Sequence, residues 1–352
     1  MWSAKGGYQM SLTRSEAILK MIVEYFIKTA EPVGSHTLIE EYELPYSSAT
    51  IRNEMSALEK MGYLEKPHTS AGRIPSSKGY EYYCEHLRDK DVDDQLRYSL
   101  QTVLSSKIQS IEEVIKQSCE IISHMTNLVS VVSRGDEDLE RLASIQLVPI
   151  NENTITAIFV TDKGYVQNKT FILDENIKTE DIVKCVELLN QRLKGTPIGE
   201  LVPKMELIKP ILSDYVISHD AVYQALLETF VRFAGDRLSL YGREELFSHP
   251  EFKNDTEALI RVMKLLEDAS LFKKVDMKAI GEKEPMVNIG DIEGNPDVAL
   301  VTAKIKVGDE ENTITLVGPK RMDYDKAMSA LEYLSEELDK YFNDKGGNDS
   351  GE

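Results

Sequence analysis

Ala49, Asn53, Ser56 and Lys60 are spaced to share one side of a helix, with Thr50 and Arg52 at its edges. Each of these residue types can touch a base edge or a phosphate. Asn pairs bidentately with adenine, Arg with guanine, and the methyls of Ala or Thr meet the thymine methyl. At about 100° per residue, Ile51, Met55 and Leu58 fall on the other side and form the core face. Ser48 opens the exposed face, and its N-terminal half holds no carboxylate to repel a phosphate. An ordinary solvated helix also carries Ser, Asn and Lys, so on this helix alone both readings stand. The next stretch separates them. Lys66, His68, Thr69, Ser70, Arg73 and Lys78 follow, and no Asp or Glu lies between Lys66 and Tyr80, in a chain of net charge −19. Lys66 and Arg73 suit phosphate neutralisation, and His68, Thr69 or Ser70 can donate hydrogen bonds to phosphate oxygens.

The elements that must carry these residues can be read from the same segment. Ser35 is placed to cap a short amphipathic helix ending near Glu43, broken by Leu44-Pro45. Ser47 or Ser48 caps the second helix, and Gly62 stops it. Two helices across a tight turn have the shape that enters a major groove. Tyr63–Lys66 and Arg73–Pro75 then read as the strands of a hairpin with Thr69-Ser70-Ala71-Gly72 at its tip, Gly72 supplying a permissive backbone. Ahead of the pair, Leu19, Ile22, Val23, Phe26 and Ile27 form a one-sided stripe over residues 15–29. After it, Ser76 or Ser77 caps a helix that turns Tyr80, Tyr83 and Leu87 inward. The whole is a winged helix-turn-helix over 10–90. Residues 88–94 (RDKDVDD) read as a charged linker.

SSATIRNEMSALEKMGYLEKPHTSAGRIPSSKGY resembles the winged-helix signature of the heat-inducible transcription repressors called HrcA, and VGPKRMDYDKAMSALEYLS near the C-terminus extends the likeness. It spans about Leu12 to Phe342. Departures are Ser76, where Thr is expected, and Glu81, where a basic residue is common. The resemblance implies an α+β multidomain chain. A GAF-like α/β domain would be built from 91–139 and 236–345, and a β-meander-plus-helices domain inserted at 140–235 would make the homodimer. It also implies a repressor that binds an inverted-repeat operator in double-stranded DNA upstream of chaperone genes, releases it on heat stress, and depends on the chaperonin as a partner.

Charge is unevenly spread. Residues 1–90 hold 11 Lys/Arg against 12 Asp/Glu, so nearly all the net charge of −19 lies beyond them. An acidic body limits non-specific sticking while the local wing charges hold a duplex. Cys84, Cys119 and Cys185 are odd in number and far apart, which suits a reducing cytoplasm and offers no disulfide or zinc framework. No signal peptide or apolar run of roughly 20 residues is present, so no membrane is expected. No phosphate-cradling Gly loop, metal cluster or nucleophile motif calls for a cofactor or an enzyme, and Asp136, Glu137 and Asp138 read as solvated charges in a turn.

Beyond the wing, apolar positions from Leu96 to Val132 predict one long helix. A dimer coiled coil fits, as does a helix packed on its own domain's sheet, and the width of the stripe favours the second. Residues 143–173 switch to the strand period and predict a three-stranded antiparallel meander. Helices are expected at 179–194, 219–233 and 255–272, the last with Ile260, Met263 and Leu266 apolar. Strands follow near 285–290, 297–307 and 312–318, then a closing helix over 323–342 with Ala327, Met328, Leu331, Leu334 and Leu338 inside. Gly318-Pro319 and Arg321 lie where a ligand-binding fold could clamp an anion, but the turn reads better as structural, with Asp323 capping the last helix. The alternative function is a small-molecule-responsive winged-helix regulator sensing a ligand at the GAF-like domain. MWSAKGGYQM fits no element, which makes Met10 a candidate start, and 1–9 and 346–352 are expected to be disordered.

Overall fold

The computed structural model describes the chain from Leu12 to Gly346 apart from residues 69–71, 106–110, 135–139, 152–153, 163, 165, 173–178, 214–223, 225–226, 228–237, 269–270, 273, 276–283 and 308–309. The expected helix at 219–233 falls almost wholly outside the described residues, as do the two terminal segments apart from Gly346. Helix α1 (Arg14–Thr29) opens with a capping box in which the Thr13 hydroxyl accepts from the Glu16 amide and the Glu16 carboxylate accepts from Thr13. Helices α2 (Ser35–Tyr42) and α3 (Ser48–Lys60) follow. Gly34, not Ser35, occupies the cap of α2. Ser35 instead starts the helix, where its hydroxyl meets that of Ser48 at 2.9 Å.

Strands β1 (Leu64–Glu65) and β2 (Ile74–Pro75) form the wing, antiparallel with Leu64 opposite Pro75. A third rung comes from Val33, whose amide and carbonyl exchange hydrogen bonds of 3.0 and 2.8 Å with Arg73. This explains Gly72, whose backbone is not left-handed: a Cβ there would lie 2.5 Å from the Val33 carbonyl. Close approach of two backbones, not a positive φ, requires glycine. Helix α4 (Ser77–Tyr82), capped by Ser76, runs into a π turn over Tyr83–Leu87. Gly79 packs so tightly under the wing that a Cβ would sit 2.1 Å from the Tyr63 carbonyl.

The long helix expected over 96–132 is two helices and a strand. Helices α5 (Asp94–Leu104) and α6 (Ile111–Thr126) are followed by strand β3 (Val129–Arg134), with Asn127 at φ 54 between α6 and β3. Residues 128–133 are all buried, so the strand shows no alternation to set it apart, and Val129 and Val132 prolonged the helical stripe past the true helix end. Strand β3 belongs to a five-stranded sheet of order β7-β3-β10-β9-β8, in which β7 is Leu238–Tyr241, β8 Met286–Ile289, β9 Val298–Val307 and β10 Glu310–Pro319. Strand β9 pairs antiparallel with both β10 and β8. Helix α11 (Tyr324–Gly346) covers β9, burying Ala327, Met328, Leu331, Leu334 and Leu338, and Asp323 caps it through the Lys326 amide. It runs past the expected end at 342.

Residues up to Ser133 and from Leu240 form one compact unit, and Arg134–Ser239 forms another. In the second, strands β4 (Leu142–Asn151), β5 (Thr154–Thr161) and β6 (Val166–Ile172) make the expected antiparallel meander. Its Ile155, Ala157 and Phe159 share a core with Ile182, Val186 and Leu189 of α7 (Thr179–Leu193) and Met205 of α8 (Leu201–Ser213). Helix α8, with Pro210 inside it, was hidden by its prolines. Two short helices of the first unit, α9 (Pro250–Lys253) and α10 (Thr256–Leu266), precede β8. Helix α10 is shorter than expected and buries Ala258, Val262, Leu265 and Leu266, leaving Ile260 exposed.

Within the first unit the wing-bearing helices and the sheet share one apolar core, running from Ile18 and Leu19 through Leu87 and Leu100 to Leu331 and Leu338. Residues 89–94 are a largely exposed charged linker, as expected, but Arg88 at its start is not solvated. The Arg88 side chain is buried, donating to Ser329 and pairing with Glu332, both on α11. Tyr83 donates to Asp325 at 2.8 Å, and Arg321 donates to the Ile27 carbonyl at the end of α1 while pairing with Glu251. Glu24, Asp89 and Asp325 bring carboxylate oxygens within 4.8 Å of one another, with Lys20 at 2.7 Å from Asp89 and 3.7 Å from Glu24. Burial, opposed by Lys20 and reinforced by Asp325 and Asp89, pushes the Glu24 carboxyl up to about 7.

Two outcomes follow from this packing. Gly79→Ala must displace the Tyr63 carbonyl and is expected to cost about 1–3 kcal/mol, read as a lower urea midpoint. For Glu24, the folded chain holds a proton that the unfolded chain releases in the ordinary carboxylate range. The group therefore stabilises the fold fully at low pH, and that contribution is lost as pH rises towards about 7. The Tm difference between the native chain and Glu24→Gln should change steadily between about pH 5 and 7.5 in calorimetry, the native chain losing ground as pH rises.

Candidate nucleic-acid interface

Helix α3 owes its boundaries to local chemistry at both ends. The Ser47 hydroxyl accepts from the Thr50 amide at 3.2 Å. At the other end the Gly62 amide donates to Glu59 and the Tyr63 amide to Leu58, with Gly62 at φ 82, which closes the free carbonyls in a Schellman arrangement. Ile51, Met55 and Leu58 are buried, as their spacing required.

The opposite face is open. Ala49, Arg52, Asn53 and Lys60 are exposed, and Ser48, Thr50 and Ser56 are half-buried at its margins. Arg52, Asn53 and Lys60 make no hydrogen bond or ion pair among the described residues, so their polar groups point only at solvent. The acid on the flank of the helix is accounted for: Glu54 accepts from Ser15 at 2.5 Å and pairs with Arg14 at 3.5 Å, on the α1 side. Thr50 turns its hydroxyl to Ser47 at 2.9 Å, and Ser48 turns its own to Ser35.

The wing residues divide into two kinds. His68 is exposed and without a partner among the described residues, and Thr69 and Ser70 lie outside them. Lys66 is exposed, 3.8 Å from Glu59. Arg73 is spent inward, with its side chain only 14% exposed and its Nε and Nη2 at 2.9 and 2.7 Å from the same Glu59 oxygen. Lys78 lies 4.6 Å over the Tyr63 ring and donates to the Met61 carbonyl at 3.0 Å, which ties the start of α4 to the end of α3. Sequence reasoning singled out both cations and missed Glu59 between them, although its place seven residues beyond Arg52 put it on the same stripe.

The arrangement offers a helix edge of small and amide side chains, free cations at two heights, and a two-stranded projection beside it. That is what groove entry by a helix with flanking backbone contacts needs. The Arg321 turn offers no comparable opening, because its guanidinium is already divided between Glu251 and the Ile27 carbonyl.

The family model described as the HrcA protein C-terminal domain matches residues 112–328. A heat-inducible transcription repressor HrcA of Halalkalibacterium halodurans is 36% identical over 341 residues, covering 95% of this chain and 98% of the relative. Its counterpart in Mycoplasmoides gallisepticum is also 36% identical, over 93% of this chain and 94% of its own length. A crystal structure of a hypothetical protein aligns with a TM-score of 0.59 at 23% identity, covering 95% of this chain and 99% of that one, a likeness of fold.

Proposed function

The chain belongs to the HrcA family, and from that membership we propose that it represses heat-shock genes by laying α3 in the major groove of double-stranded DNA with the wing on the adjoining backbone. It is a transcription repressor and not an enzyme. One observation carries the mode of action: the outward stripe of α3 keeps Arg52, Asn53 and Lys60 unengaged, while the two acids of α3, Glu54 and Glu59, are held by Arg14 and Arg73. Arg52 and Asn53 are the base readers in this proposal. Ala49, Thr50 and Ser56 shape the contact, and Lys60, Lys66, His68, Thr69 and Ser70 face phosphates.

The operator in this reading is an inverted repeat bound by a homodimer, because one winged domain makes a small contact and two at fixed spacing multiply it. The dimer would form through the 134–239 unit, within a cytoplasmic protein that a chaperonin helps to its active form and that heat releases from DNA. Support for the dimer surface is local. One side of the β4-β5-β6 sheet packs on α7, and the other leaves Val148, Val166 and Ile172 exposed. The sheet of the first unit is the counterpart of the GAF-like domain, and Arg321 gives a ligand-sensing reading no free clamp there. Among the described residues no helix is long and apolar enough to cross a membrane.

Selection of bound duplexes from a random pool, with and without chaperonin, tests the function directly. A recovered palindrome is the expected outcome, and enrichment of no sequence would overturn it. On the recovered site, Arg52→Ala and Asn53→Ala should each cost about 1–3 kcal/mol and relax the preference at one base pair, by gel shift. Equal loss on random DNA would remove them from base reading. Val166→Asp combined with Ile172→Asp should give a folded monomer in sedimentation. A persisting dimer would place the interface elsewhere.

A further inference from the structure

We infer that Glu59 is a positioning residue for DNA recognition: its carboxylate, held by Arg73, fixes the wing against the reading helix and so sets the protein's selectivity for sequence. This rests on the groove-reading role proposed for α3. Two turns separate Glu59 from Arg52, and residues seven apart lie on nearly the same line of a helix. An acid on that line faces the phosphates that Arg52 and Lys60 would approach, and left bare it would repel them. It is not bare. Arg73 grips one of its oxygens through two nitrogens, and Lys66 stands 3.8 Å from the other.

The backbone makes this grip rigid. Arg73 is bonded in both directions to Val33, and Gly72 admits no side chain between those two strands. The residue after β2 is tied as well, the Ser76 amide donating to the Tyr63 carbonyl and the Ser76 hydroxyl to the Gly62 carbonyl. The end of α3, the Val33 segment and the wing root therefore share one set of fixed points, and the Glu59–Arg73 pair adds a close ion pair to them. Lys66 differs. Exposed and farther from Glu59, it is free to exchange the carboxylate for a phosphate when DNA arrives, while Arg73 stays. One carboxylate thus tells the two wing cations apart, holding one in the protein and lending the other to the duplex.

The test uses the full chain with two probes, a duplex recovered by selection from a random pool and a scrambled duplex of equal length and composition. Affinities are measured across a salt series for the native chain, Glu59→Gln, Glu59→Asp, Arg73→Gln, the Glu59→Gln/Arg73→Gln pair and Lys66→Gln, with thermal melting as a check on folding. Glu59→Gln should bind the scrambled duplex more tightly, with a salt slope steeper by about one, because a freed cation reaches phosphate. Its ratio of selected to scrambled affinity should fall about tenfold, a size set by the loss of one well-placed contact. Arg73→Gln should lower the ratio similarly without the steeper slope, the double variant should be no worse than either, and Glu59→Asp should recover most of the ratio. Lys66→Gln should flatten the slope on both duplexes and leave the ratio alone. A Glu59→Gln chain that melts like the native one and gains equally on both duplexes would overturn the positioning role, leaving simple repulsion. A native chain that fails to tell the two duplexes apart would sink the groove-reading proposal itself.

Discussion

The Arg88 guanidinium is the charge on which the placement of the reading helix turns. Withdrawing such a group from water costs several kcal/mol unless its hydrogen-bonding positions are met. Here α11 meets the two terminal nitrogens, through Ser329 and Glu332, and the buried Nε is left without a partner among the described residues. Because Arg88 sits immediately after the π turn that ends the winged segment, satisfying it pins that segment to the sheet's own helix. Tyr83 on Asp325 and Arg321 on the Ile27 carbonyl add two more ties at different heights. A reader so fastened cannot swing freely on its body. That is the condition under which two copies present their helices at a defined separation and not as independent weak binders.

The distribution of charge follows the same division. The body carries nearly all of the net −19, and acids near the interface are matched by close cations: Glu54 with Arg14, Glu59 with Arg73, Asp89 with Lys20. On α3 itself neither acid is left bare, and its open face carries Arg52, Asn53 and Lys60. In the proposed mode a duplex meets a locally inviting edge on an otherwise acidic molecule, which favours the orientation in which α3 faces the groove.

The winged segment was largely legible in the sequence because its signals are short-range and agree with each other. Caps at Ser47 and Ser76, the Gly62 stop and the Ile51-Met55-Leu58 spacing all specify the same elements. What escaped reading depended on partners distant in the chain. Val33 joins the wing as a single residue between Pro32 and Gly34, too short for any period to register. The buried state of Arg88 could not be seen in RDKDVDD, since a run of charges looks solvated until its partner 244 residues away is placed. Strand β3 was absorbed into the preceding helix because, buried on both faces, it shows no alternation, while Leu128, Val129 and Val132 continue the helical spacing. Arg73 read as a phosphate contact, since nothing local marks that Glu59, fourteen residues back, already holds it.

The cysteines bear on which kinds of stress can reach this molecule. Cys84 and Cys119 lie in the large core and Cys185 in the smaller one, all three buried. Burial raises the first two thiols far above their usual range, so almost none of either exists as the reactive anion. Peroxide or a disulfide reagent would have to wait for the fold to open before reaching these thiols. At the cysteines, oxidative injury is thus translated into the same event as warming, a loss of packing.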